Sequence, residues 1–497
     1  MKTHALPASR RIMLGLLGTF SVAGLVRADA SRFDPRLTIG ADASGLMGTY
    51  KVSGPIDKHN EFFQSLGTNG RSCSTCHNAD QAMSFTPAHA RRLYDETRGA
   101  DPLFASIDGA NCSTVEAKNR AGHSLLLKNG LIRIPAPVPA NAQFSISVVH
   151  DPYGCALQVD PKTQLLTASV YRRPLPTASL SFLSAVMFDG RETIAPLTSA
   201  ATLDANLRTD LVHQALDATL NHAQAATAPT DAQLNSIVDF ELDIYSGQIW
   251  DYRAGLLSEG GAKGGPINLS DQLYYPAVND TLGADPNGAA FNPVSMTVYS
   301  AWEKSSGKVR DYLPNARADI AAGEKLFNSA PMTISNVRGL NDNVALNKPT
   351  AFAGTCATCH DSPNIGHHSL PLPLDIGVAH SSDPGLEPDP IVAAAVNELS
   401  EPDLPVFLIS GCPNPFNAGQ AESFYTTDPG KALISGNCAD FNRVKGPILR
   451  GLAARAPYFH NGAAANLREV VNFYNQRFQM ALTEKQKNEL VAFLNSL

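Results

Sequence analysis

The strongest periodic signal lies at the end of the chain. In "TEKQKNELVAFLNSL", residues 483–497, apolar side chains recur at Leu490, Phe493, Leu494 and Leu497, the spacing of one helical face, and Thr483 with Gln486 forms a capping box at its start. "ARADIAAGEKLFN", residues 316–328, predicts another helix with Ala316, Ile320, Gly323 and Phe327 on one side. Gly323 would let a second helix approach closely, and the C-terminal segment is its natural partner. "LRTDLVHQALDATLNHAQ" and "LNSIVDFELDIYSGQIW" also read as helices. "FSISVV" and "LLTASVYRR" alternate like short strands and predict a hairpin-like excursion, while the Gly-rich "SEGGAKGGPINLSD" reads as a loop or linker. The pattern therefore predicts a mostly α protein with long loops and a small β insertion in its N-terminal half.

Composition sets the scale. The chain has 497 residues, 43% hydrophobic and 17% charged, enough for two or three domains with full cores. A net charge of −7 without basic clusters argues against a nucleic-acid partner. Lys2, Arg10 and Arg11 precede the apolar run "IMLGLLGTFSVAGLV", and small residues follow near Ala28 and Ala30. This is the layout of a cleaved export signal over residues 1–28, with an N-terminal unit over 29–310 and a C-terminal unit over 311–497. No other run is long and apolar enough to span a bilayer, so the mature chain is expected to be periplasmic, with no membrane span.

Cysteine usage fits export and adds chemistry. Cys112 with Cys155, and Cys412 with Cys438, would each close a loop within one half of the chain. The other four cysteines belong to two copies of C-x-x-C-H: Cys73, Cys76 and His77, then Cys356, Cys359 and His360. This signature attaches c-type haem: two thiols form thioethers with the vinyl groups and the histidine reaches the iron. A thioredoxin-like site gives no reason for the histidine, and a zinc site lacks a second nearby C-x-x-C. Two covalently bound haems are therefore expected.

Two further motifs accompany these: "TASLSFLSAVMFDGR", residues 177–191, and "KGPILRGLAARAPYFHNGAAANLREVVNFY", residues 445–474. With both C-x-x-C-H sites in this order, the chain resembles the bacterial di-haem cytochrome c peroxidase superfamily, which includes the MauG enzymes. The resemblance covers the surroundings of both motifs and most of the C-terminal unit. It implies two cytochrome c-like haem domains and a division of labour. The N-terminal haem meets hydrogen peroxide or oxygen, and the C-terminal haem passes electrons from a small donor protein, a cytochrome c or a cupredoxin. For the C-terminal haem, it places Tyr474 at the distal ligand position, where peroxidases of the family usually carry Met and MauG-type members Tyr. Leu467, Val470, Val471 and Tyr474 share a helical face. Met480 is the rival ligand, and His367 and His368 are further alternatives. His89 could be a removable ligand of the N-terminal haem, but reads better as a surface histidine beside Arg91 and Arg92.

The sequence departs from this pattern in three places. The family's distal glutamine matches Gln214, but ten residues later stands Gln224, not a glutamate. An amide orients a ligand yet cannot act as a general acid or base. His222 or Glu192 could take the proton instead. Phe188 replaces the family's inter-haem tryptophan, which disfavours hopping through that side chain. Arg173 or Pro174 stands where a calcium-binding Asn is usual, and Arg455 where Thr is usual. Calcium is therefore doubted, with Arg455 expected to supply the positive charge. Peroxidase-type reduction is the leading expectation. The alternatives are MauG- or oxygenase-like oxidation of a protein or organic substrate, and a non-catalytic electron-transfer cytochrome.

Overall fold

Twelve strands run through the described residues. Leu37–Ala41 (β1), Gly45–Lys51 (β2), Ile132–Pro137 (β3), Ser145–His150 (β4), Leu157–Val159 (β5) and Leu166–Arg172 (β6) come first. Ile244–Asp251 (β7), Gly255–Leu256 (β8), Met332–Ser335 (β9), Ala351–Gly354 (β10), Val406–Pro413 (β11) and Ala421–Thr426 (β12) follow. They are seen in a computed structural model that describes residues 34–161, 163–305, 312–380, 389–416 and 421–497. The expected export segment and the expected boundary at residue 310 lie outside these.

The expectation of a mostly α protein is overturned. Among the described residues 31% are helical and 16% lie in strands. Four sheets are present, ordered β1-β2-β7-β8, β10-β9, β12-β11-β4 and β3-β6-β5. The β structure is therefore not one small insertion. Two local misreadings account for much of the difference. The segment read as one helix to Trp250 is a helix over Asp231–Leu242 that gives way to β7, where "IYSGQIW" pairs with β2. The two alternating segments expected to form a hairpin do not pair with each other. β4 pairs with β11, some 260 residues away along the chain, whereas β6 pairs with β3 and β5. Alternation marks a strand but does not name its partner.

The sheet formed by β4, β11 and β12 joins segments from both halves, and its apolar face contributes Phe407, Ile409 and Phe424 to a core shared with Val170 of β6 and Phe441. Both expected disulfides are present in this region, Cys112–Cys155 and Cys412–Cys438.

The helix pair behaves as the pattern predicts. Tyr312–Ser329 packs against Glu484–Asn495, burying Ile320, Phe327, Leu490 and Phe493 in one cluster. Thr483 caps the second helix by accepting from the Gln486 N–H at 3.3 Å, and the Gln486 side chain accepts from the Thr483 N–H at 2.9 Å. Gly323 is required at the crossing: a Cβ there would lie 2.0 Å from the Glu489 carbonyl oxygen.

A buried ionic contact closes the other side of the molecule. Arg172, at the end of β6, donates to both oxygens of Asp428 at 2.7 and 2.9 Å and also to Asp189. Burial alone would raise the Asp189 carboxyl, but Arg172 and Arg191 outweigh it and hold it below its ordinary value. Asp428 is lowered in the same way, burial being outweighed by Arg172 and His460.

Two stability predictions follow from these contacts. Gly323→Ala is expected to cost roughly 1–3 kcal/mol through overpacking of the helix crossing. Arg172→Met leaves two buried carboxylates without their guanidinium and should cost roughly 3–5 kcal/mol. Urea titration at neutral pH reads both as lowered midpoints. Because the folded-state carboxyls are depressed, the Arg172 contribution is present above the ordinary carboxylate range and should fade as pH falls through it.

Candidate functional site

Each C-x-x-C-H motif is built the same way from local sequence. "SCSTCH" and "TCATCH" both place a hydroxyl residue before the first cysteine and Thr before the second. Ser72 N–H donates to Thr75 Oγ1 at 3.1 Å, and Thr355 N–H to Thr358 Oγ1 at 2.9 Å. Each motif forms a single 3₁₀ turn, over Cys73–Thr75 and Cys356–Thr358, and the histidine N–H then bonds back to the first cysteine's carbonyl, at 3.1 Å for His77 and 3.0 Å for His360. The ring is oriented by a carbonyl six residues on. His77 Nδ1 meets the Met83 oxygen at 3.0 Å, and His360 Nδ1 meets the Gly366 oxygen at 2.7 Å. An Nδ1–H donated in this way leaves the Nε2 lone pair for a metal. Burial lowers both imidazoles, His77 to about 4, so both are held neutral.

A separate, largely apolar cavity opens on each motif. His77, Cys73 and Cys76 line the first, and His360, Cys356 and Cys359 the second. All four thiols are free, and burial pushes those of Cys76, Cys356 and Cys359 up to about 12. The cavities share a wall: Phe188, Lys445 and Pro447 line both. The Phe188 ring lies 5.9 Å from that of His460, and its carbonyl accepts from the Lys445 N–H at 2.7 Å.

The residues present fit a c-type haem in each cavity. Thiols, imidazole and apolar walls supply its attachment, ligation and packing. The walls also hold cations without an ion pair. Arg173 and Lys445 are buried, line the first cavity and make no ion pair among the described residues. Burial pushes the Lys445 ammonium down to about 8. Buried cations of this kind call for an anion, and the propionates of a porphyrin would provide one.

The structure brings some of the candidate residues together and separates others. Leu467, Val470, Val471 and Tyr474, on the helix Leu467–Arg477, all line the second cavity, as do Met480 and His368. The Tyr474 phenol, raised by burial, has no hydrogen-bond partner among the described residues. His367 and His368 are both buried, and only His368 of the two lines the second cavity. Gln214 and His222 line the first cavity. His222 Nδ1 bonds Asp108 Oδ2, and Asp108 is also held by Arg71. Gln224 is exposed, outside the lining, with Oε1 3.4 Å from Asn69 Nδ2. Glu192 is buried but bonds His213 at 2.8 Å. His89 pairs with Arg92 at 2.9 Å and does not line the cavity.

Sequence reasoning missed Glu241. It lines the first cavity, its Oε2 has no partner, and burial raises its carboxyl to about 8. The signal was its place on the buried face of its helix with Leu234, Ile237 and Val238. The expected charge replacement also falls on a different residue. The Arg173 guanidinium donates to the carbonyls of Gly130 at 2.7 Å, Phe85 at 2.8 Å and Arg455 at 3.3 Å. Arg455 itself turns to the Ile448 and Gly451 carbonyls. Arg173, not Arg455, therefore puts the positive charge among these oxygens.

No model of a known protein family matches the chain. Curated relatives do. The cytochrome-c peroxidase IdrP2 of Denitromonas iodatirespirans is 35% identical over 156 residues, covering 29% of this chain and 36% of that protein. IdrP2 of Pseudomonas sp. (strain SCT) is 28% identical over 204 residues, covering 36% of this chain and 50% of that protein. The cytochrome c551 peroxidase of Nitrosomonas europaea is 33% identical over 82 residues, covering 16% of this chain and 25% of that protein. The chain thus spans half or less of the length of these relatives. Peroxidases of separate genera thus match parts of a chain with two like-built C-x-x-C-H cavities, and over those parts it is similar to bacterial cytochrome c peroxidases.

Proposed function

We propose that this protein is an exported di-haem oxidoreductase that reduces hydrogen peroxide with electrons from a small redox partner. The observation that carries this reading is the duplication of one attachment geometry on two cavities that share a wall. Cys73 and Cys76 would tether one porphyrin and Cys356 and Cys359 the other, with His77 and His360 as proximal ligands, in units over residues 29–310 and 311–497. Bound there, c-type haem supplies an iron that changes oxidation state and, where one coordination position is open, accepts a small oxidant.

Reduction of hydrogen peroxide to two waters consumes two electrons and two protons. The two cavities are suited to different parts of that balance. Tyr474 or Met480 would close the second as a distal ligand, which favours electron transfer. The first offers groups that move protons. His222, held by Asp108, presents its other ring nitrogen as a base, and Gln214 can orient a bound oxidant. Glu241, neutral near pH 7, is a second proton source in the same cavity. A small donor protein, a cytochrome c or a cupredoxin, would supply the electrons on the side of the second cavity, and Phe188 stands in the wall between that cavity and the first. Placement in the periplasm follows from the expected export signal; no helix among the described residues is long and apolar enough to cross a membrane. The second reading, MauG- or oxygenase-like oxidation of a protein or organic substrate, is favoured by the exposed position of Gln224, which leaves the family's glutamate without a counterpart.

Pyridine haemochrome assay of the purified chain should give two haems per polypeptide that survive denaturing electrophoresis. The double variant Cys356→Ser, Cys359→Ser should retain one. Steady-state peroxide reduction with an artificial donor should fall roughly 10²–10⁴-fold in His222→Gln with both haems retained, the span of a lost general acid–base group. An unchanged rate in that variant and a comparable loss in Glu241→Gln would move the proton role to the carboxyl.

A further inference from the structure

Beside the second motif, two carboxylates and an imidazole converge. Asp361 directly follows His360, and the chain then turns back, so that the Ser362 N–H meets the His367 carbonyl at 3.1 Å. A loop from residue 277 is pinned onto this turn: the Ala277 N–H donates to the Ser369 carbonyl at 3.0 Å, and Asn279 Nδ2 to the Asp361 carbonyl at 3.0 Å. Asp280 is thereby set against Asp361 and His368, with one ligand atom from each within 4.8 Å of the others. Asp280 and Asp361 are fully buried and His368 is 5% exposed.

Each carboxylate is satisfied on one side only. Asp280 Oδ2 accepts from the Leu282 N–H at 3.0 Å and the Ala284 N–H at 2.8 Å, while Oδ1 has no partner. Asp361 Oδ1 accepts from the Ser369 N–H at 2.7 Å, while Oδ2 has none and lies 3.5 Å from His368 Nδ1. The Leu370 N–H approaches that nitrogen at 3.3 Å, which requires the tautomer with its proton on Nε2 and a lone pair on Nδ1. Backbone donors thus orient the outer oxygens, and acceptor atoms face one another within. Buried acceptors so arranged repel unless a proton or a cation lies between them, and burial raises both carboxyls.

We propose that Asp280, Asp361 and His368 bind one divalent first-row transition ion of the zinc class. An imidazole nitrogen with two carboxylate oxygens suits such an ion, whereas calcium takes six to eight oxygens. Tetrahedral ligands at ~2.0–2.1 Å from zinc sit about 3.3 Å apart, close to the Asp361–His368 spacing, and the ion would displace the long Leu370 contact. The Ser369 hydroxyl, buried and without a partner, is available as a fourth donor. Two carboxylates balance the ion's charge. The ion clips the 277–285 loop to the residue that follows His360, so its role is to fix that segment. The site shares no residue with the carbonyl cluster around Arg173.

The test uses the full, haem-loaded protein, stripped with a chelator and titrated with zinc chloride alone. Elemental analysis should find one tightly held zinc per chain in addition to haem iron, and crystals should give an anomalous peak at the zinc edge between the three side chains. Asp280→Asn with His368→Gln should lose that zinc while keeping its iron-to-haem ratio. No uptake by the wild type, or equal uptake by the double variant, overturns the proposal. Should the variant fail to fold, the wild-type crystal decides, and no peak at this position overturns it. Haem content is read separately by pyridine haemochrome, so failure of the ion site and failure of the di-haem reading are distinguishable.

Discussion

The two halves of this protein meet on one buried guanidinium. Arg172 is 3% exposed, and its partners Asp189 and Asp428 are 3% and 1% exposed. A dry ion pair contributes little over well-packed apolar groups, so its main consequence is geometric. Asp189 belongs to the D-G-R motif, and Asp428 follows the last strand of the sheet that joins both halves. Holding them on one arginine fixes Phe188, the residue before Asp189, at the wall between the cavities. His460 is drawn to the same point, its Nε2 3.5 Å from Asp428 Oδ2. This contact, together with the sheet of β4, β11 and β12, holds the wall between the two candidate redox centres.

Against that common frame, the two cavities repeat one attachment device and differ in what faces it. A hydroxyl-capped turn and a carbonyl six residues on orient His77 and His360 alike. Around the first, the side chains are titratable or cationic: His222, Glu241, Asp108 and Arg71 all line it. Around the second, the helix Leu467–Arg477 presents an apolar stripe with a phenol, and Met480 closes in behind it. The first sets a histidine held by a carboxylate and a buried glutamate beside its motif, and the second sets an apolar helical stripe and a phenol beside its own. That asymmetry is what a division between oxidant chemistry and electron relay requires.

Local chemistry was legible in the sequence, and partner choice was not. Both motifs, the capped terminal helix and the close approach at Gly323 follow from spacing alone, because each is decided within a few residues. Both disulfides follow from cysteines left over beside the two motifs, each pair within one half of the chain. The sheets were missed because pairing is decided at long range: "FSISVV" carries a strand's alternation, but nothing in it names β11. Glu241 was missed for a related reason. An acidic residue on an apolar helical face is ambiguous until the cavity it faces is known. Arg455 was assigned the positive charge by position, while the fold brings the guanidinium of Arg173 to those carbonyls.

Burial of the cations ties folding to cofactor attachment. Arg173 is satisfied in hydrogen bonding by carbonyls, yet neither it nor Lys445 makes an ion pair among the described residues. Solvation lost by such groups is recovered only by a counter-charge. The same cavity walls present apolar surface that a porphyrin would cover. Without it, the chain would bear both an uncompensated positive field and unfilled space at the junction of its halves. The Arg172 contact with Asp189 and Asp428 and the disulfides Cys112–Cys155 and Cys412–Cys438 are formed by the chain's own residues, with no group in either cavity. The fold can therefore keep its β scaffold while both cavities stand ready for an anionic, largely apolar group such as a porphyrin.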